Sequence, residues 1–275
     1  MEYAYYASEL NAGSSFLDDQ QLYINPVNCF LFTDQEHGYE LTLDLPETWK
    51  IASSLNFQEN RCEVANFDKL ADSPFICSAK LQKESYEVNG YQFHIWFNNQ
   101  TFIQWEKVLV DFEKFTRAQI QDFTEFPVKD FHFLIQTLPY AAYHGVEHLE
   151  STVITLGPNY DVFGSLYKEL LGVSSHELSH VWNVKSIRPA EMHSYNLKKE
   201  NNIVKKDSCS NKKYVQRSFE AKTEHHSPEP YPHWTLKEIN EEGFIIFLIS
   251  SKNFTKLFKS GDIEGYDNFF KETYL

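Results

Sequence analysis

The chain has 275 residues, 42% hydrophobic, 16% aromatic and 23% charged; that is enough apolar material for one large domain or two ordinary ones, and too little charge for wholesale disorder. Its net charge of −14 lies wholly in residues 1–200, because residues 201–275 hold 11 basic and 11 acidic side chains of the 25 and 39 in the chain. So acidic a surface repels phosphate and argues against nucleic acid as a partner, no run of about 18 apolar residues exists to span a membrane, and four scattered cysteines with no CxxC pair exclude a zinc ribbon.

Cys29, Cys62, Cys77 and Cys209 are expected to be reduced thiols. The N-terminal stretch lacks the basic and apolar segments of a secretory signal, so a cytoplasmic location is expected.

Residues 1–135 read mainly as strands. Tyr3–Leu10 has the look of a strand from the middle of a sheet. Tyr39–Leu45 alternates apolar and polar residues with period two and ends at Pro46, which cannot donate to a ladder. Tyr91–Phe97 repeats the alternation after the turn signal Asn89-Gly90. One helix interrupts, from Thr101 to Asp122, with Phe102, Trp105, Val108, Leu109, Phe112 and Phe115 mostly three or four apart. Phe131–Gln136 is another β-favouring run. Residues 143–157 read as two strands or one bent strand. A helix from about Phe163 to Asn183 follows, with Leu170, Leu171, Val173, Leu178 and Val181 broadly on one side. Beyond about Asn202 the chain is polar, then proline-rich near 224–232, then apolar over 243–249.

The second helix carries His176-Glu177-Leu178-Ser179-His180. Residues four apart share a helical face, so two imidazoles can meet one metal ion. Zinc accepts neutral imidazole nitrogens, and a glutamate next to the first ligand can serve a metal-activated water as general base. His176 and His180 are therefore candidate zinc ligands and Glu177 a candidate catalytic base. The plainer reading is an exposed helical face whose two histidines merely titrate.

The motif continues as Val181-Trp182-Asn183-Val184-Lys185-Ser186-Ile187-Arg188-Pro189, and in this longer form it resembles the active-site segment of the glycyl aminopeptidase family of zinc metallopeptidases. Gly145-Val-Glu147-His148 followed by Ser151 is similar to that family's G-x-E-H-x-x-S strand. Phe67-Asp68-Lys-Leu-Ala-Asp72-Ser73-Pro74 is similar to its DxLxDSP stretch. Tyr23-Ile-Asn25-Pro-Val-Asn28 and Leu45-Pro46 with Trp49 resemble motifs of its β-rich N-terminal domain. The resemblance covers roughly residues 1–201.

It implies an α+β fold: a β-rich N-terminal domain over 1–135 with its first strands missing, the N-terminal part of a thermolysin-like zincin catalytic domain over 136–201, and a divergent tail over 202–275. It implies a gluzincin, in which His176 and His180 ligate Zn2+ together with a downstream glutamate, and Glu177 is the base. Gly145 and Glu147 belong to the substrate-binding strand, with the Glu147 carboxylate facing the free α-amino group of a peptide. An ordinary strand-edge glutamate is the alternative for Glu147. The family's Glu-Gly pair bearing the third ligand is absent in register. Glu220 and Glu224 lie in polar sequence, Glu264-Gly265 is another Glu-Gly pair, and Glu242, before Gly243-Phe244, is the candidate followed by an apolar run.

The function so implied is hydrolysis of small N-terminal residues, Gly or Ala, from peptides, by attack of zinc hydroxide with Glu177 shuttling the proton. The alternatives are an inactive fragment of such a peptidase, at most a peptide- or weak metal-binding module, and a non-peptidase binding module with a chance H-E-x-x-H. The expected partner is a peptide substrate, with no nucleic acid and no membrane; the residues carry no signal for an oligomeric state.

Overall fold

A computed structural model describes residues 2–32, 38–123, 125–183 and 185–186 of the chain. The N-terminal part is β-rich. A four-stranded sheet has the order β1-β2-β6-β4, from Phe16–Leu17, Gln21–Ile24, Phe75–Ser78 and Lys50–Ser53. Beside it β3 (Tyr39–Thr42) and β5 (Arg61–Val64) form an antiparallel pair. Two short helices interrupt, α1 (Pro26–Cys29) and α2 (Phe67–Ala71). Asn66 caps α2 by accepting the Lys69 N–H at 2.8 Å, which satisfies a donor that the helix start would otherwise leave unmet. Cys29, Cys62 and Cys77 are free thiols.

The second sheet has five strands in the order β10-β11-β9-β8-β7. They are β7 (Gln82–Val88), β8 (Tyr91–Asn98), β9 (Asp130–Thr137), β10 (Ala142–Glu147) and β11 (Ser151–Gly157). The central pairs β8–β9 and β9–β11 are parallel; the outer pairs are antiparallel. α3 (Trp105–Phe123) makes the crossover from β8 to β9 that a parallel pair requires. α4 (Tyr167–Ser179) follows β11.

Alternation sorts the faces. Phe93, Ile95 and Phe97 on β8, with Phe131, Phe133 and Ile135 on β9, are fully buried. They face α3, whose Phe112 meets Phe133 edge-on with ring centroids 5.0 Å apart. The opposite face supplies Leu134 and Val153 to a core shared with Ala12, Tyr23, Ala52, Ile76 and Leu81. Burial of β11 is complete along its length because it is covered on both faces. Among the described residues no helix is long and apolar enough to cross a membrane.

The α+β class expected from the sequence, with a β-rich N-terminal part, is the class observed. Several local expectations change. Residues 3–10 form no strand; only Ser8 bridges to Phe16, and Tyr3, Tyr5 and Tyr6 are exposed. Pairing with β1 goes no further than that bridge and the Leu17 N–H donated to the Ala7 carbonyl at 3.0 Å. α3 starts at Trp105 rather than Thr101, leaving Phe102 67% exposed. α4 spans 167–179 rather than 163–183, flanked by turns. The stretch 143–157 resolves into two strands, β10 and β11, joined by a turn. The five-stranded sheet also runs through residue 135, where a domain boundary is expected, because β7, β8 and β9 pair into the same ladder as β10 and β11.

Candidate active site

α4 delivers the motif at its C-terminal end. His176 and Glu177 lie in its last turn, and His180 is the capping residue, still right-handed helical at φ −68° and ψ −17°. The i, i+4 geometry therefore survives the helix end: the two Nε2 atoms are 3.1 Å apart, with the rings nearly perpendicular at 81°. Ser179 Oγ donates to the His176 carbonyl at 2.6 Å, and the His180 N–H to the Glu177 carbonyl at 3.2 Å, which holds this final turn. Gln119 on α3 anchors α4 from behind, its amide donating at 2.8 Å to both the carbonyl and the hydroxyl of buried Ser175.

β10 lies at the edge of the five-stranded sheet and packs against α4. Gly145 and Glu147, two apart, project from the same side of the strand. A Cβ built on Gly145 would overlap the Oε1, Cδ and Cγ atoms of Glu177, with Cγ at 2.8 Å. Glu177, 4% exposed, therefore lies across the bare backbone of Gly145. This close approach brings the Glu147 and Glu177 carboxylates and a His180 nitrogen within 4.8 Å of one another. Two carboxylates so close repel each other, and a cation between them lowers their energy.

The donor set fits zinc as far as the described residues reach. Two nitrogens bound to one tetrahedral ion at about 2.0–2.1 Å lie about 3.3 Å apart, close to the observed spacing of the imidazole pair. Catalytic zinc takes three protein ligands. The carboxylates that converge on His180 among the described residues are Glu147 and Glu177, which the sequence assigns to substrate and base. Glu242, the candidate third ligand, lies outside the described residues.

Sequence reasoning missed a group of residues beside the site. Asp72, which ends α2, receives Lys185 Nζ at 2.9 Å on Oδ1 and the Leu149 N–H at 2.9 Å on Oδ2; His148 Nδ1 lies 3.0 Å from Oδ1. These side chains are 15%, 13% and 6% exposed for Asp72, Lys185 and His148. Burial alone would raise the Asp72 carboxyl. The His148 contact, the charges of His148 and Lys185, and the Leu149 N–H overcome that and hold it down at about 2. Each residue sits in one of the quoted motif segments, but position in a motif carries no sign of mutual contact. Trp182 is likewise a core anchor: it stacks on Phe123 at 4.4 Å between centroids and donates to the Glu125 carbonyl at 2.8 Å.

A model of the peptidase M61 N-terminal domain matches residues 1–79, and a model of the M61 glycyl aminopeptidase matches residues 169–206. Over these two stretches the chain is similar to the M61 glycyl aminopeptidases. Among solved structures, an aminopeptidase N family protein from Idiomarina loihiensis superposes with a TM-score of 0.65 at 26% identity, over 71% of this chain and 36% of that one. An M1 zinc metallopeptidase from Deinococcus radiodurans is 13% identical, over 60% of this chain and 40% of that one, with a TM-score of 0.39. The described fold thus spans little more than a third of the first of these solved relatives. No curated protein matches the chain in sequence. The M61 matches cover both the N-terminal strands and the helix that carries His176, Glu177 and His180.

Proposed function

We propose that this chain is a zinc aminopeptidase that removes small N-terminal residues, Gly or Ala, from peptides. The observation that carries the reading is the convergence of Glu147, Glu177 and His180 within 4.8 Å, across a strand where Gly145 makes room for the base. His176 and His180 would hold the zinc ion, with a third carboxylate for which Glu242 is the candidate. Bound zinc supplies Lewis acidity, polarising the scissile carbonyl and acidifying a water near neutral pH. Glu177 accepts the proton of the attacking water and passes it to the leaving amine. Burial against Gly145 restricts its carboxylate to the side of the helix where the imidazoles emerge. Glu147, on the edge strand, takes the substrate's α-ammonium in a charge-assisted hydrogen bond. Ion pairing there fixes the free N-terminus one residue from the reacting bond, which is what makes an aminopeptidase rather than an endopeptidase. Gly145 leaves the strand backbone open beside the base. A cytoplasmic location and a peptide partner belong to the same reading.

A second reading has an observation behind it. Among the described residues no carboxylate beyond Glu147 and Glu177 converges on His180, and both have other roles in the peptidase. A chain in which no third ligand completes the site would bind zinc weakly and not turn over, leaving a peptide-binding remnant. Metal analysis with a chromogenic assay separates the two. The purified chain is expected to hold about one zinc and to hydrolyse glycyl- or alanyl-anilides. Glu177→Gln is expected to keep the metal and lose turnover by about 10²–10⁴-fold. Soluble folded protein with neither zinc nor hydrolysis sinks the peptidase reading.

A further inference from the structure

Three segments far apart in the chain meet at one carboxylate. α2 ends at Asp72; the turn between β10 and β11 brings His148 and Leu149; the segment leaving α4 brings Lys185. Each has a direct connection to the candidate site. His148 and Leu149 follow Glu147, and the His148 N–H closes their turn on the Ser151 carbonyl at 2.9 Å. The Lys185 N–H donates to the His180 carbonyl at 3.1 Å. Asp72 is therefore bonded on one side to the turn after the amine-facing glutamate, and on the other to the residue that closes the turn after the second imidazole. Lys69 on the same helix pairs with Glu150 and ties the turn a second time. Among the described residues, the Nε2 of buried His148 has no hydrogen-bond partner, so its polar contact is with Asp72.

We infer that Asp72 is a positioning residue: it clamps the end of the edge strand to the turn that follows the metal-binding helix, and so sets the distance between Glu147 and His180. The inference rests on the peptidase reading for the substrate but not for the clamp. The β-rich N-terminal part then contributes directly to the active site through α2, rather than only covering the far face of the sheet. Geometry makes the carboxylate suited to the task. Oδ2 takes the Leu149 amide of the β10–β11 turn, and Oδ1 joins that turn's His148 to the Lys185 ammonium. Being mostly buried, these charge-assisted bonds are screened little by water. An aminopeptidase depends on this distance, because it measures from the bound ammonium to the scissile carbonyl, and a displaced Glu147 gives up its charge-assisted hydrogen bond to that ammonium, weakening substrate binding by about 10- to 100-fold.

The test uses the full chain with Asp72→Ala and Asp72→Asn. Asparagine keeps an oxygen for the Leu149 N–H but no charge for Lys185; alanine keeps neither. Three readouts are compared: zinc content, the Kd of glycylglycinamide by calorimetry alongside KM and kcat for a glycyl-anilide, and amide exchange at Leu149. The expected result is a rise in Kd and KM of about 10- to 100-fold for alanine, the worth of a hydrogen bond to a charged group, and a smaller rise for asparagine. Zinc content should stay near that of the parent, and kcat should change less than KM. Leu149 exchange should accelerate in the alanine variant. Unaltered Kd and KM in folded variants, or unaltered Leu149 exchange, overturn the positioning role; lower stability with intact KM marks Asp72 as structural only. A parent chain that binds neither zinc nor glycylglycinamide refutes the peptidase reading instead, and the Leu149 amide then still reports on the clamp.

Discussion

At Gly145 any side chain would occupy the volume that Glu177 fills. Gly145→Ala adds one methyl group, yet Glu177 is buried and has little space into which to retreat. The base must rotate away, and a general base that has lost its alignment loses most of its worth. A drop in kcat of about 10–100-fold is expected, with zinc content near that of the parent; steady-state kinetics beside metal analysis checks both. Asp72 predicts a pH dependence. Its folded carboxyl titrates at about 2, below the ordinary value of 3.8, so the folded state binds that proton less readily than the unfolded chain. The resulting stabilisation is complete above about pH 4 and is lost as pH falls toward 2, in total on the order of 2 kcal/mol. Urea unfolding of the parent and of Asp72→Asn should therefore differ most at neutral pH and converge by pH 2. A difference that stays constant over that interval would refute the assignment.

At the scale of elements, patterns with local causes were legible and those with remote causes were not. β8 follows its period-two alternation because one face meets α3 and the other meets the core around Leu134. α3 buries Val108, Phe112 and Phe115 as the three- and four-residue spacing requires. Phe102 continues that spacing yet is exposed, because the helix starts only at Trp105 and no element covers the residues before it. A similar limit applies to residues 3–10: a segment can look like a strand from the middle of a sheet, but only its partners decide how far pairing runs, and here it reaches no further than Ser8 opposite Phe16. The sheet runs through residue 135, where a boundary is expected, for a related reason. A composition change marks where an element ends, whereas a sheet is defined by ladder partners, and β9 pairs with β8 on one side and β11 on the other. Gln119 also escaped notice, since a polar residue on a helix reads as solvent-facing until α4 is known to pack over it.

For the molecule as a whole, the proposed zinc ion would link folding to function. A ligand that binds only the folded state stabilises it by an amount set by its concentration relative to Kd, about 2.7 kcal/mol at a hundredfold excess. Zinc is accordingly expected to raise the melting temperature of this chain, and a chelator to reverse the shift. If Glu242 is the third ligand, Glu242→Ala lowers zinc affinity and removes most of that shift in differential scanning calorimetry; an unchanged shift rules Glu242 out. The acidic balance of residues 1–200 acts at the same scale, favouring approach of a positively charged peptide N-terminus over any phosphate-bearing ligand.

The sequence by itself determined the imidazole pair and the carboxylate beside it, because their relation is set by one turn of helix and needs no other element. It also determined the family resemblance, since the continuation from His176 to Pro189 is a contiguous string. Only the tertiary structure decided that Gly145 lies beneath Glu177, that Glu147 comes within reach of His180, and that Asp72 joins His148 and Lys185. Those contacts join a sheet edge, a helix end and the tip of a second helix, brought together by strand pairing and core packing over separations that no local periodicity records.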